Sequence, residues 1–174
     1  MILNSDINLT HPLWERADNE LCNNNSLGIS NRLVDAYVLA CAIGIQADKT
    51  ITEIENPLEP SKSIGRNTHR ENTDLRDMLD FMLQNALINS SSLKFDLDER
   101  LKLAFDPDYS VNKLSAANFL TGFANYGIEK IFNAIESKSP MVVLSELYGY
   151  FESLSESRYD EILKNITLEE LAQL

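Results

Sequence analysis

Apolar positions recur at helical spacing over most of this chain. From Asn31 onward, Val34, Tyr37, Val38, Cys41 and Ile45 follow one another at three- and four-residue steps, the signature of one helix face. Leu33, Ala36, Ala40 and Ile43 fill neighbouring positions, so this helix is apolar nearly all round and belongs at the centre of a core. Ala36, Ala40 and Gly44 stand four apart, a spacing of small residues that suits ordinary packing in a soluble core and also allows a second helix to approach closely. A second pattern begins at Thr73, read as an N-cap with Asp74 and Asp77 complementing the helix dipole. Leu75, Met78, Leu79, Met82 and Ala86 form its apolar face, and it is expected to end near Asn89. Asp96 with Glu99 three residues on opens a brief helix carrying Leu97, Leu101 and Ala104, which Pro107 stops. The longest pattern runs through Ala117, Leu120, Ala124, Ile128, Ile131 and Ile135. It predicts a helix over about 110–137, bent or broken at Gly122 or Gly127. Ser139 and Pro140 restart the pattern for Leu144, Leu147, Tyr148 and Phe151. Two small helices are expected around Arg158 to Leu163 and from Thr167 onward.

Two stretches break this rhythm. Residues 1–30 are polar, with Cys22-Asn23-Asn24-Asn25-Ser26 ahead of Leu27-Gly28, and read as a polar N-terminal arm with a short helix near Leu13 to Leu21. Lys49 to Thr73 contains Pro57, Pro60 and Gly65, and Ile51-Thr52-Glu53-Ile54 reads as a short strand inside it. The expectation is a mainly α protein. Residues 31–174 form a single compact helical domain, with one or two short strands near residues 51–64.

Composition narrows the function classes. A chain of 174 residues builds one good core and is short for two. Lys plus Arg total 15 against 27 Asp plus Glu, a net charge of −12, which phosphate backbones repel, so autonomous duplex-DNA binding is not expected. The longest apolar run, Ala36 to Ile45, is about half a membrane span. With no basic and apolar leader at Met1, the chain reads as cytoplasmic. Cys22 and Cys41 lack CxxC spacing and a nearby histidine, and read as reduced thiols rather than metal ligands. His11 and His69 are the only histidines, no GxSxG elbow accompanies them, and the six glycines lie too far apart for a phosphate cradle. Asp74 with Asp77 and Asp96 with Asp98 are carboxylate pairs of the kind that helix starts produce. No catalytic residue, metal or cofactor is therefore assigned. What stands out is the basic cluster Lys62, Arg66, His69 and Arg70, with no acid from Ser61 to Arg70. It suits intramolecular pairing, a protein interface or a phosphate contact.

Three blocks carry a resemblance. They are Asp35-Ala36-Tyr37-Val38-Leu39-Ala40-Cys41-Ala42-Ile43-Gly44-Ile45, the Pro-containing basic loop before Asp74, and Phe123-Ala124-Asn125-Tyr126-Gly127-Ile128-Glu129-Lys130-Ile131. In this order, over Arg32 to Phe151, the chain resembles small accessory proteins encoded beside bacterial DNA-phosphorothioation (Dnd) and related antiphage defence systems. Their first helix reads like Ala-Ala-x-Gly and their later helix carries a Tyr-Ala-Asn-Gly-Gly-like element. Here Tyr126 stands where a glycine is usual. The resemblance implies a non-enzymatic accessory or adaptor subunit of a prokaryotic antiphage complex. Its partners would be proteins of that complex, an ATPase or nuclease subunit among the candidates. Ala40, Gly44, Asn125, Tyr126 and Gly127 are then helix-packing or interface residues. The alternative is an acidic DNA-mimic-like inhibitor, in which the carboxylates from Glu129 through Glu170 imitate phosphates for a basic partner. Stoichiometry and oligomeric state stay open at this stage.

Overall fold

The computed structural model describes residues 3, 5–23, 32–106, 108, 109, 111, 114–135, 142 and 145–154. The chain divides into two units, Met1–Phe132 and Asn133–Leu174. The first is organised by its most apolar helix. That helix, α2 (Leu33–Ala47), buries Val34, Ala36, Tyr37, Ala40, Cys41, Ile43 and Gly44. It stops at Asp48, which adopts the left-handed conformation (φ 47°, ψ 48°) that Asp tolerates better than most side chains. The Asp48 amide donates to the Ile45 carbonyl and the Lys49 amide to the Gly44 carbonyl, both at 3.1 Å, satisfying carbonyls that the helix end would orphan. The Asp48 carboxylate accepts the Ser91 amide at 2.9 Å. Hydrogen bonding from Ser91 holds this carboxyl below its ordinary range.

Against α2 lies α6 (Ala116–Ala134). It starts later than the periodicity suggests because Ser115 caps it. The Ser115 hydroxyl accepts the Asn118 amide at 3.4 Å, and its carbonyl accepts the Phe119 amide at 2.9 Å. The helix then runs unbroken through Gly122 and Gly127, and the two backbones touch. A Cβ on Gly44 would stand 2.1 Å from the Phe123 carbonyl oxygen, and one on Gly127 would stand 1.9 Å from the Ala40 carbonyl oxygen. No side chain fits at either place.

The N-terminal stretch is integral to this unit rather than a loose arm. Strand β1 (Ile7–Leu9) pairs antiparallel with β2 (Lys62–Ile64), Ile7 opposite Ile64 and Leu9 opposite Lys62. Ile7 and Leu9 are fully buried. Helix α1 (Leu13–Arg16) continues as a π-helical winding over Ala17–Asn23, and Trp14, Ala17, Leu21 and Cys22 are buried. The polar residues between them face outward, which is why the segment reads as polar although two buried faces run through it. The strand expected at Ile51 to Ile54 falls instead at residues 62–64. Ile51 spends its backbone on α6, donating to the Gly122 carbonyl at 2.9 Å and accepting from Asn125 Nδ2 at 3.1 Å.

Beyond β2 come α3 (Arg66–Arg70) and α4 (Thr73–Asn89). Asn72, not Thr73, caps α4, its side-chain oxygen accepting the Leu75 amide at 3.1 Å. Leu75, Leu79, Leu83, Ala86 and Leu87 face inward. Met78, expected on that face, is 41% exposed. Helix α5 (Leu97–Phe105) starts as the sequence indicates, with Asp96 accepting the Glu99 amide at 2.9 Å. Arg100 ties the α4–α5 connection together. Its guanidinium donates to the carbonyls of Phe95, Ile88 and Ser90 at 2.9, 3.1 and 2.8 Å and also to that of Leu93. In the second unit residues 145–154 are helical. The expected Ser139–Pro140 start, Leu144, and the helices at 158–163 and from Thr167 lie outside the described residues. The protein is mostly helical with a two-stranded antiparallel sheet, the fold class expected.

A methyl group tests the crossing. Gly127→Ala is expected to cost about 3 kcal/mol or more, because overpacking here meets backbone rather than a side chain that can swing away. Gly65→Ala, where a Cβ meets nothing within 4 Å, should leave stability unchanged or raise it by about 0.5 kcal/mol. Urea titrations of both variants check the contrast.

Candidate functional site

A seam of polar groups crosses the core beside the α2–α6 contact. The Trp14 indole N–H donates to Asn125 Oδ1 at 2.9 Å, and the Asn125 amide passes the chain on to the Ile51 carbonyl. The Tyr37 hydroxyl lies 3.2 Å from Thr121 Oγ1, and the Cys41 thiol donates to the Leu120 carbonyl at 3.8 Å. Among the described residues every buried side-chain polar atom has a partner, as a polar core must. Burial pushes the Cys22 thiol up to about 11, the Cys41 thiol further, and the Tyr37 phenol well above its ordinary value. Neither thiol carries the thiolate that nucleophilic chemistry needs at neutral pH. His11 is buried, not displayed. Its Nδ1 accepts the Leu13 amide at 3.3 Å, which leaves Nε2–H to donate to Glu129 Oε1 at 3.1 Å. Among the described residues no group of three or more His, Cys, Asp or Glu side chains is placed to hold a metal ion, and no helix is long and apolar enough to cross a membrane.

The basic cluster does not form one surface. Lys62 Nζ pairs with Asp18 Oδ2 at 2.7 Å, a contact that raises the lysine pKa through the hydrogen bond first and the Asp18 charge second. His69 is buried, with Nε2–H directed at the Ser5 carbonyl at 3.3 Å. Arg66 contributes its backbone amide to Asp6 Oδ1 at 2.7 Å. Its side chain and that of Arg70 are exposed and have no ion-pair partner among the described residues. Of the three readings open to this cluster, intramolecular pairing describes Lys62 and internal hydrogen bonding describes His69. Arg66 and Arg70 are left at the surface, one turn apart on α3.

The packing residues divide as well. Ala40, Gly44 and Gly127 form the backbone contact, and Asn125 holds Trp14. Tyr126 is half-buried, with Lys49 Nζ 5.8 Å and Lys130 Nζ 5.0 Å from its ring centroid. Its bulk turns away from the crossing, and the neighbouring Gly127 supplies the close approach.

Three of the large apolar side chains exposed among the described residues lie together on one helix. On α5, Leu97 is 62% exposed, Leu101 40% and Phe105 61%, at a spacing of four that places all three along one line of the helix. The inward face of α5 is supplied by Leu103 and Ala104 instead. Beside the stripe an open depression of about 580 Å³ is lined by Leu101, Lys102, Phe105 and Asp106. The signal available in the sequence was an excess: this nine-residue helix carries five apolar side chains, three more than the pair that faces the core.

Two outcomes follow. Asn125→Leu leaves the Trp14 N–H and the Ile51 carbonyl without partners, and is expected to cost about 2–4 kcal/mol. Trp14 is the only tryptophan, so its fluorescence and near-ultraviolet dichroism report the change at the seam itself. For the basic cluster, Lys62→Ala should lower the melting temperature, more so at low salt, whereas Arg66→Ala with Arg70→Ala should leave it in place. Thermal melts at two ionic strengths separate these.

In comparisons with protein-family models, with curated proteins and with solved structures, none matches this chain.

Proposed function

We propose that this protein is a non-enzymatic adaptor subunit that binds a protein partner through the outward face of α5, and that the partner belongs to a prokaryotic antiphage complex. The observation that carries the adaptor reading is the exposure of Leu97, Leu101 and Phe105 in one line. Scattered exposed apolar residues need no explanation, but an aligned set of large ones is the surface on which binding energy concentrates. The fold gains nothing from holding them in water. The satisfied polar seam and the raised thiols give the core a structural role, which fits an adaptor. The antiphage setting rests on the three ordered sequence blocks alone. The acidic-mimic alternative draws less support, because Glu129, the first carboxylate of its series, is engaged by His11.

The test pairs capture with stability. Tagged protein is co-expressed with the products of adjacent genes, as wild type and as the Leu101→Asp/Phe105→Asp double variant. Charges at two exposed positions should leave the fold intact, since surface substitutions cost within about 0.5 kcal/mol. The double variant is expected to lose its partner by about tenfold or more, as hot-spot residues do. A folded double variant that retains the partner at the wild-type level removes α5 as the site.

A further inference from the structure

The stripe on α5 also specifies the chemistry of its occupant, and this inference rests on the adaptor reading. Leu97 to Phe105 is nine residues, eight rises along the axis, so the apolar line is about 12 Å long, a little over two helical turns. All backbone groups in the middle of α5 are spent within the helix, which leaves side chains alone to recognise a partner. An extended segment laid on this line would bring its own N–H and C=O groups against apolar carbon without acceptors, whereas a helix arrives with its backbone satisfied. The rim is acidic. Asp98, Asp106 and Asp108 are exposed around the stripe. Lys102, on the same helix, is already paired with Asp98, and its pKa is raised by Asp98 first, with Asp96 adding to the same field. The Arg100 guanidinium is turned away from this face onto four backbone carbonyls.

We infer that α5 is the docking site for a basic amphipathic helix of a partner protein, whose apolar side chains at three- and four-residue steps cover Leu97, Leu101 and Phe105 while flanking Lys or Arg residues face Asp106 and Asp108. The apolar line supplies affinity, and the carboxylate rim sets orientation and selects against acidic helices. The occupant is thus neither a strand nor a second copy of this acidic chain.

Three synthetic peptides test this on the full-length protein by fluorescence anisotropy: an amphipathic helix with Leu and Phe on one stripe and Lys/Arg flanks, the same stripe with Glu flanks, and a scramble of the basic peptide. The basic amphipathic peptide is expected to bind about tenfold or more tightly than either control, and to weaken severalfold between about 50 and about 300 mM salt. Leu101→Asp/Phe105→Asp should abolish that binding. Asp106→Asn/Asp108→Asn should weaken it severalfold and flatten the salt dependence. Equal binding by the scramble overturns the inference in favour of plain charge attraction, and equal binding by the acidic peptide overturns the charge selection. If no peptide binds while partner capture still depends on Leu101 and Phe105, the helical occupant is wrong and the adaptor reading stands. If sedimentation shows a dimer that Leu101→Asp dissolves, a second copy covers the face and the inference fails.

Discussion

The backbone contact between α2 and α6 is the constraint from which the rest of the first unit follows. Gly44 lies against the Phe123 carbonyl and Gly127 against the Ala40 carbonyl, so each helix contributes one glycine and one carbonyl to the crossing. A contact of this kind has no soft component. Side chains relax by changing rotamer, but two helical backbones move only as rigid rods. The crossing point is thereby set by four residues, and the neighbouring positions inherit it. Asn125 sits between Phe123 and Gly127 and is held where it reaches both Ile51 and the Trp14 indole. The chain leaving α2 at Asp48 lies along α6, with Thr50 and Thr52 beside Gly122. Trp14 then anchors the N-terminal segment to the same place, and that segment carries β1 to β2.

What could be read in the sequence was whatever depends on neighbours within a turn or two. The all-round apolarity of α2 and the Asp96 cap are local, and each has its expected counterpart; the four-residue spacing of Ala40 and Gly44 left ordinary packing and close approach both open, and the structure shows the close approach. The rest depends on partners far along the chain. Ile7 and Leu9 alternate for only three residues, too few to announce a strand, and their pairing partner lies at residues 62–64. Trp14 looks like one large residue in a polar arm until Asn125, 111 positions away, supplies its acceptor. The basic cluster fails as a unit for the same reason: Asp18, Asp6 and Ser5 reach it from the N-terminal segment. Local patterns of charge do not reveal which charges a fold will spend on itself.

The α5 stripe is a different case, since no distant partner hides there. Leu97, Leu101 and Phe105 fit a helix whether they face in or out, and only the placement of Leu103 and Ala104 decides it. Arg100 fixes that placement. By gathering carbonyls from the end of α4 and along the α4–α5 connection it constrains the rotation of α5 about its axis, and with it the side on which the apolar line emerges.

The acid excess explains how such a line persists in water. Arg16 with Glu20, Arg32 with Asp35, Lys62 with Asp18, Arg76 with Asp77 and Lys102 with Asp98 are ion pairs within this chain. Each pair is neutral as a unit, so the acid excess of −12 remains on the rest of the chain. Two copies approaching through α5 bring that charge together before their apolar residues touch, and the repulsion acts over the Debye length, about 8–10 Å at ordinary salt. A basic helix meets the opposite field over the same distance. One property of the composition therefore acts twice on the same surface, holding the exposed apolar residues apart from their own kind and drawing in a partner of opposite charge.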